Sequence, residues 1–184
     1  MRRVALILLC LLLIAGCAGT RPGPTPEETT LTEVGQHAPD FTVPTLGGGP
    51  FTLSEQRGQV VLINWFATWC PPCQEEMPHL QTEVWERFRG EDFVMISVAR
   101  EETAEVVAPF IKKYQVTWPF GLDTDRAAYA RYAEAFIPRN TVVDRDGAII
   151  FQSSGFERPD FDRMIEVIGR ELAGDRGAEG NGGR

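Results

Sequence analysis

Apolar positions fall into three patterns along the chain: an unbroken block at residues 4–15, nearly continuous short runs at 60–66 (VVLINWF) and 93–99 (FVMISVA), and helical repeats elsewhere. A short, continuous run rich in Val, Ile and Phe reads as a strand covered on both faces. Cys73, Met77, Leu80, Val84 and Phe88 recur at steps of 4, 3, 4 and 4, which predicts a helix over 71–89 stopped by Gly90. Val106, Val107, Phe110, Ile111 and Tyr114 predict a second helix over 103–114. Further helices are expected at 126–136 and at 159–172, the latter with Phe161, Met164, Ile165, Ile168 and Leu172 on one stripe. Short strands are expected at 41–43 and 51–53 around the turn-prone 46–50 (LGGGP), and at 119–122. Strands at 141–143 and 148–151 flank Asp144-Arg145-Asp146-Gly147, a hairpin turn. Strand, helix, strand, helix, then hairpin and helix predicts an α/β sandwich around a mixed sheet.

The block at 4–15 follows Arg2 and Arg3. As a helix it would span roughly 18 Å, short of a ~30 Å hydrocarbon core, so it reads as a secretory leader rather than a membrane span. Ile14-Ala15-Gly16-Cys17 resembles the bacterial lipoprotein box, in which the chain is cut before the cysteine and the sulfur carries a diacylglycerol. A plain signal peptide that happens to hold a cysteine is the alternative. The chain then divides into a leader (1–16), a lipidated tether (17–34), one domain (35–173) and a disordered tail (174–184). Residues 18–34 are rich in Pro, Gly, Thr and Glu without apolar period; as flexible coil they would reach roughly 20–25 Å.

Composition narrows the function. Of 184 residues 43% are hydrophobic and 24% charged, with a net charge of −8. That balance argues against nucleic acid, whose phosphates demand basic patches. Losing Arg2 and Arg3 with the leader takes the charge to about −10, so acyl chains rather than charge would have to hold the domain at a membrane. There are four cysteines and two histidines. On the lipoprotein reading Cys10 is discarded and Cys17 is blocked, which leaves Cys70 and Cys73.

Those two lie in Trp69-Cys70-Pro71-Pro72-Cys73, just past the carboxyl end of the 60–66 strand and at the start of a helix. Functional groups of open α/β sheets collect there. Cys73 begins the core-facing stripe, whereas Cys70 precedes the helix and is expected to point its sulfur to solvent. Unpaired N–H groups and partial positive charge at a helix start favour a thiolate. Cys70 is therefore expected to attack and Cys73 to resolve the mixed disulfide. Pro71 and Pro72 fit the first turn, but each removes an N–H that could steady the thiolate. The expected consequence is a dithiol that gives electrons away.

These residues carry a resemblance. Pro39-Asp40-Phe41, the 60–66 strand leading into Ala67-Thr68-Trp69-Cys70-Pro71-Pro72-Cys73, Glu76-Met77-Pro78, and Ile137-Pro138 before Thr141-Val142-Val143-Asp144 together resemble the thioredoxin superfamily. Within it they are similar to the membrane-tethered, extracytoplasmic TlpA-, ResA- and DsbE-like thiol–disulfide oxidoreductases. The resemblance implies a thioredoxin-like three-layer sandwich with a central mixed sheet and an N-terminal β extension, a redox-active Cys70–Cys73 pair, and a cis Ile137–Pro138 bond facing the sulfurs. Candidate substrate contacts are Trp69, a flat docking surface or a lid over the helix start, with Pro71, Pro72 and Ile137, and the resemblance gives Pro138 a catalytic part. No cofactor is implied. Partners would be proteins bearing disulfides, apocytochrome c among them, and a membrane electron donor of DsbD or CcdA type.

Cytosolic thioredoxins carry a buried aspartate six residues before the first cysteine; here Asn64 stands there and cannot take a proton from Cys73. Glu76, three residues after Cys73, is assigned as proton acceptor or tuner of the thiols, with a solvated surface glutamate as the alternative. Pro78 is expected to kink the helix. Arg139, after Pro138, is a candidate contact for an acidic partner. The alternatives are a disulfide-forming oxidant, a copper-handling chaperone and a peroxidase. Neither His37 nor His79 lies in a segment predicted to face Cys70, and Ala67 stands three residues before Cys70 where peroxiredoxins carry threonine.

Overall fold

The structure, a computed structural model, describes residues 23–179. The expected leader, Cys10, Cys17, the beginning of the tether and the end of the tail lie outside the described residues.

Strands β1 (Thr42–Val43) and β2 (Phe51–Thr52) form a small antiparallel hairpin, followed by a 3-10 turn at Leu53–Gln56. β3 (Val60–Phe66) is buried at every position, as its unbroken apolar run requires. Helix α1 (Pro71–His79) continues through a π-helical stretch, Leu80–Trp85, into α2 (Glu86–Phe88). Then come β4 (Phe93–Arg100), α3 (Ala104–Tyr114), β5 (Phe120–Asp123), β6 (Arg139–Val143), β7 (Ile149–Ser154) and α4 (Arg158–Glu179). β3 to β7 make one mixed sheet of order β5-β4-β3-β6-β7. β4 runs parallel to β3 and β5; β6 is antiparallel to β3 and β7.

The period of two in β3 sorts its side chains between two cores. Val60, Leu62 and Phe66 pack with Cys73, Met77, Leu80 and Val84 of the first helical stretch, Val107 and Phe110 of α3, and Phe161, Met164 and Ile168 of α4. Val61, Ile63 and Trp65 face the other way, against Phe41, Val43, Leu53, Tyr129 and Tyr132. Helices, sheet, and a hairpin-and-turn layer are the three layers of a thioredoxin-like sandwich.

Four expectations need correcting. The helix over 126–136 is a single 3-10 turn, Tyr129–Arg131. Arg126 and Phe136, at φ 63° and 67°, bound the segment with left-handed backbone. Between them the Asp123 carboxylate accepts from the amides of Ala128 and Tyr129, and the Tyr129 hydroxyl donates back to the carbonyls of Ala135 and Phe136, bending the chain into a hook.

The predicted first helix is also not uniform: Pro78 has no N–H to give Gln74, and the π-helical turn follows directly. Third, residues 25–34, read as flexible tether, are folded onto the domain. Thr29 and Thr32 are buried, Thr30 bridges Ala133, and Leu31 N–H donates to the Tyr132 carbonyl at 2.9 Å. Fixing a polar segment costs conformational entropy, and these long-range hydrogen bonds offset it. Helix α4, meanwhile, runs through Gly174 to Glu179, past the point where the tail was expected to begin. Extending an existing helix adds one bond per residue fixed.

Candidate active site

The β3 strand delivers its carboxyl end to a short loop that is tied down on both sides. Thr68 donates its N–H and its hydroxyl to the two oxygens of buried Glu102, at 2.8 and 2.6 Å. Its carbonyl accepts from Gln74 Nε2 at 2.6 Å. Trp69 is left 63% exposed, and the next residue, Cys70, is the N-cap of α1. Cys70 and Cys73 form a disulfide, with Cα atoms 5.2 Å apart.

In the first turn of α1 only Cys73 offers an N–H to Cys70 Sγ, at 3.3 Å, because Pro71 and Pro72 occupy the two positions before it. Contrary to expectation, Cys70 does not point into solvent: it is 3% exposed. The loop before β6 covers it, with the Ile137 carbonyl oxygen 3.6 Å from its sulfur. Ile137–Pro138 is cis. Exposed Trp69, Pro71 and Pro72 and half-buried Ile137 therefore bring apolar surface up to the sulfurs.

Glu76 is fully buried, with no solvent contact. Asn64 Nδ2 donates to its Oε2 at 2.9 Å and Asn140 Nδ2 to its Oε1 at 2.5 Å. Asn64 Nδ2 also reaches Asn140 Oδ1 at 2.9 Å. Asn64 Oδ1 accepts from Ser97 Oγ, which accepts from Trp118 Nε1, both at 2.9 Å. Five side chains from β3, β4, β6, α1 and the segment before β5 thus form one buried polar chain ending on a carboxyl group. Burial pushes the Glu76 pKa up to about 7, and the two amide donors, which favour the carboxylate, hold it from going further. The surface alternative for Glu76 is overturned. A carboxyl titrating near neutrality, one helical turn from Cys73, is equipped to take or return a thiol proton.

Motif reasoning missed Asn140 and Glu102. Both are polar residues beside the expected site, in a strand and at a helix approach, where hydrophobic pattern carries no signal. Arg139 was misread: it is buried, bonded entirely to this chain's own oxygens, and offers nothing to an acidic partner. His37 sits in a β-bridge with Ala148, and His79 bonds Glu83 at 2.7 Å. Among the described residues no group of three or more His, Cys, Asp or Glu is arranged to hold a metal ion.

A cysteine pair thus caps a helix at the carboxyl end of a central strand, beside a cis-proline loop. Residues 34–152 match the AhpC/TSA family model. The chain belongs to the AhpC/TSA family. It is similar to the thiol-disulfide oxidoreductase ResA of Bacillus cereus, 28% identical over 155 residues that cover 83% of this chain and 88% of the relative. A solved structure from Bacteroides thetaiotaomicron, described as a candidate protein disulfide isomerase, is 34% identical at a TM-score of 0.76, covering 79% of this chain and 93% of that one. A Chlorobium tepidum structure, described as a candidate thiol:disulfide interchange protein DsbE, shares the fold at a TM-score of 0.70 and 24% identity, over 76% of this chain and 98% of that one.

This AhpC/TSA-family protein is thus a thiol–disulfide oxidoreductase of ResA type with a thioredoxin-like fold. No helix among the described residues is long and apolar enough to cross a membrane.

Proposed function

We propose that this oxidoreductase works as a reductant of protein disulfides outside the cytoplasm, held at a membrane by lipid on Cys17. The observation that carries the reductant reading is the lone N–H at Cys70 Sγ: two prolines withhold the other donors of the first turn. A thiolate with fewer donors is less stabilised, so the reduced pair gives up its electrons more readily.

The reaction runs as a two-electron exchange. The Cys70 thiolate attacks one sulfur of the substrate disulfide; that bond breaks, a mixed disulfide forms, and the first substrate thiolate leaves and takes a proton. Cys73 then loses its proton to Glu76, attacks Cys70 Sγ, and releases the second substrate thiolate, which is protonated in turn. Substrate gains two electrons and two protons, and the enzyme is left with the Cys70–Cys73 disulfide. Ile137 and Pro138 would present chain edge to the substrate backbone, and Trp69 with the Pro71–Pro72 surface would receive its apolar side chains. An oxidising compartment supplies no thiol pool, so a membrane dithiol donor of DsbD or CcdA type would return the pair to the dithiol. Apocytochrome c cysteines are a substrate class that fits this chemistry.

The test is the equilibrium potential of the Cys70/Cys73 couple in a glutathione or dithiothreitol series. A value well below about −180 mV is expected; a value near −120 mV would make the protein a disulfide-forming oxidant instead.

A further inference from the structure

Arg139 follows Pro138 directly, and its guanidinium is buried without a carboxylate bonded to it. Nε donates to the carbonyls of Ala135 and Phe136 at 3.0 and 3.1 Å. Nη1 donates to Thr30 Oγ1 at 2.7 Å, and Nη2 to the Pro26 carbonyl and Thr29 Oγ1, both at 3.0 Å. One planar fork therefore holds the loop that covers Cys70 on one side and the N-terminal segment on the other. A buried cation is tolerated only while its donors are satisfied, so detaching the segment would leave both Nη groups without their oxygens.

The same segment grips the loop's approach a second time. Glu134 N–H donates to the Thr29 carbonyl at 2.8 Å, and Thr30 bridges Ala133. It also reaches the edge strand that flanks the loop: Thr32 Oγ1 and Gln152 Oε1 lie 2.9 Å apart, and Gln152 Nε2 donates to the Thr32 carbonyl at 2.7 Å. Loop and edge strand meet where Gly155 N–H donates to the Pro138 carbonyl at 2.8 Å. The Tyr129 hydroxyl shares the Ala135 and Phe136 carbonyls with Arg139, beside the left-handed backbone at Phe136, φ 67°.

We propose that residues 26–32 are a brace which, through the Arg139 guanidinium, sets the position of the 135–138 loop against Cys70 and thereby the affinity for protein disulfides. Arg139 is a positioning residue: it touches neither sulfur. The proposal rests on the redox reading of Cys70 and Cys73 given above. A loop displaced by an ångström costs the substrate its backbone contacts without altering the sulfur chemistry.

The experiment compares full-length wild type, Arg139→Gln, and a Thr29→Val/Thr30→Val double variant that alters only the brace. Insulin serves as protein disulfide, and a small aromatic disulfide, 5,5′-dithiobis(2-nitrobenzoate), as a substrate needing no peptide contact. The expected result is an insulin KM raised about fivefold or more in both variants with kcat within about twofold, a smaller change with the small disulfide, and an unmoved glutathione equilibrium. Arg139→Lys, which keeps the charge but not the fork, should restore little. An unchanged insulin KM in the double variant would overturn the brace, even if Arg139→Gln fails to fold. So would parallel losses on both substrates that track a loss of thermal stability. A wild type that reduces neither substrate overturns the redox reading and the brace with it; a wild type that reduces both while variants match it overturns the brace alone.

Discussion

Asn140 gives its side-chain amide to Glu76 across 2.5 Å, tying β6 to α1 where neither residue meets water. The contact has a pH signature. Glu76 titrates near 7 in the folded protein against an ordinary 4.5, with burial as the main cause. Between those values the folded state keeps a proton that the unfolded chain has lost, so Glu76 makes stability fall as pH rises through this window. The size is on the order of 3 kcal/mol across the whole window. Denaturant unfolding of the oxidised protein at steps from pH 4.5 to 8 should show this slope in wild type and lose it in Glu76→Gln. Asn140→Ala, which removes a donor to the carboxylate, should push the falling region to higher pH. Parallel curves for wild type and Glu76→Gln would show that the carboxyl is ionised throughout.

The two sulfurs are predicted to fail differently. Cys70→Ser should abolish insulin reduction and form no mixed disulfide. Cys73→Ser should also stop turnover but accumulate a covalent Cys70–substrate adduct, visible by mass spectrometry and released by dithiothreitol. Cys70 is the sulfur beside the Ile137 carbonyl and the Cys73 amide, whereas Cys73 is wholly enclosed in the core with Met77 and Leu80. An adduct on Cys73 in the Cys70→Ser protein would reverse the assignment.

What the sequence made legible follows from which forces left a periodic trace. β3, β4 and the stripe from Cys73 to Phe88 were readable because burial on fixed faces repeats at 2.0 and 3.6 residues. The motif around Cys70 located the site, and Glu76 fell on the shoulder of the same stripe. The hook at 126–136 was not readable, since apolar Ala128, Tyr129 and Tyr132 imitate a helical repeat while Asp123 and the Tyr129 hydroxyl bend the chain. Nor was the brace at 26–32: Pro, Thr and Glu look like linker, and the groups that order them, Arg139, Tyr132, Glu134 and Gln152, come from far along the chain. Cys70's burial was hidden for the same reason, because the loop over it comes from a distant part of the chain.

Glu83 links the π-helical stretch to α4. Arg158 Nη1 and Nη2 donate to its Oε1 and Oε2 at 2.8 and 2.6 Å, and His79 Nδ1 lies 2.7 Å from Oε1. These bonds hold the Glu83 pKa down to about 2, the Arg158 hydrogen bond being the largest cause. The stabilisation is full above the ordinary value of 4.5 and is lost as pH falls toward 2. Both side chains are substantially exposed, at 48% and 32%, so solvent screens the pair. Glu83→Gln should lower the Tm by a few degrees at most at pH 7, with the difference vanishing near pH 2 and shrinking in molar salt. A gap that persists at pH 2 would mean that Glu83 acts through packing rather than charge.

At Gly121 the N-terminal hairpin packs tightly on the main sheet, bridged to it through Thr45. A Cβ built there would stand 2.7 Å from Val43 Cγ2 and 3.3 Å from Ile96 Cδ1, both in the core on the hairpin side of the sheet. Backbone bonds fix the approach, since Leu122 N–H donates to the Pro44 carbonyl and Leu46 N–H to the Phe120 carbonyl, both at 2.9 Å. β5 is thus held against the hairpin, and Val43, buried and stiff at χ1 as a β-branched side chain, yields little. Gly121→Ala should destabilise by about 1–3 kcal/mol through overpacking, despite the better strand propensity of alanine over glycine. Val43→Ala alone should also destabilise, by opening space at the same spot. The double variant should lose clearly less than the sum of the two, because each substitution relieves the fault made by the other. Additive losses in urea unfolding would place the strain of Gly121→Ala somewhere other than the contact with Val43.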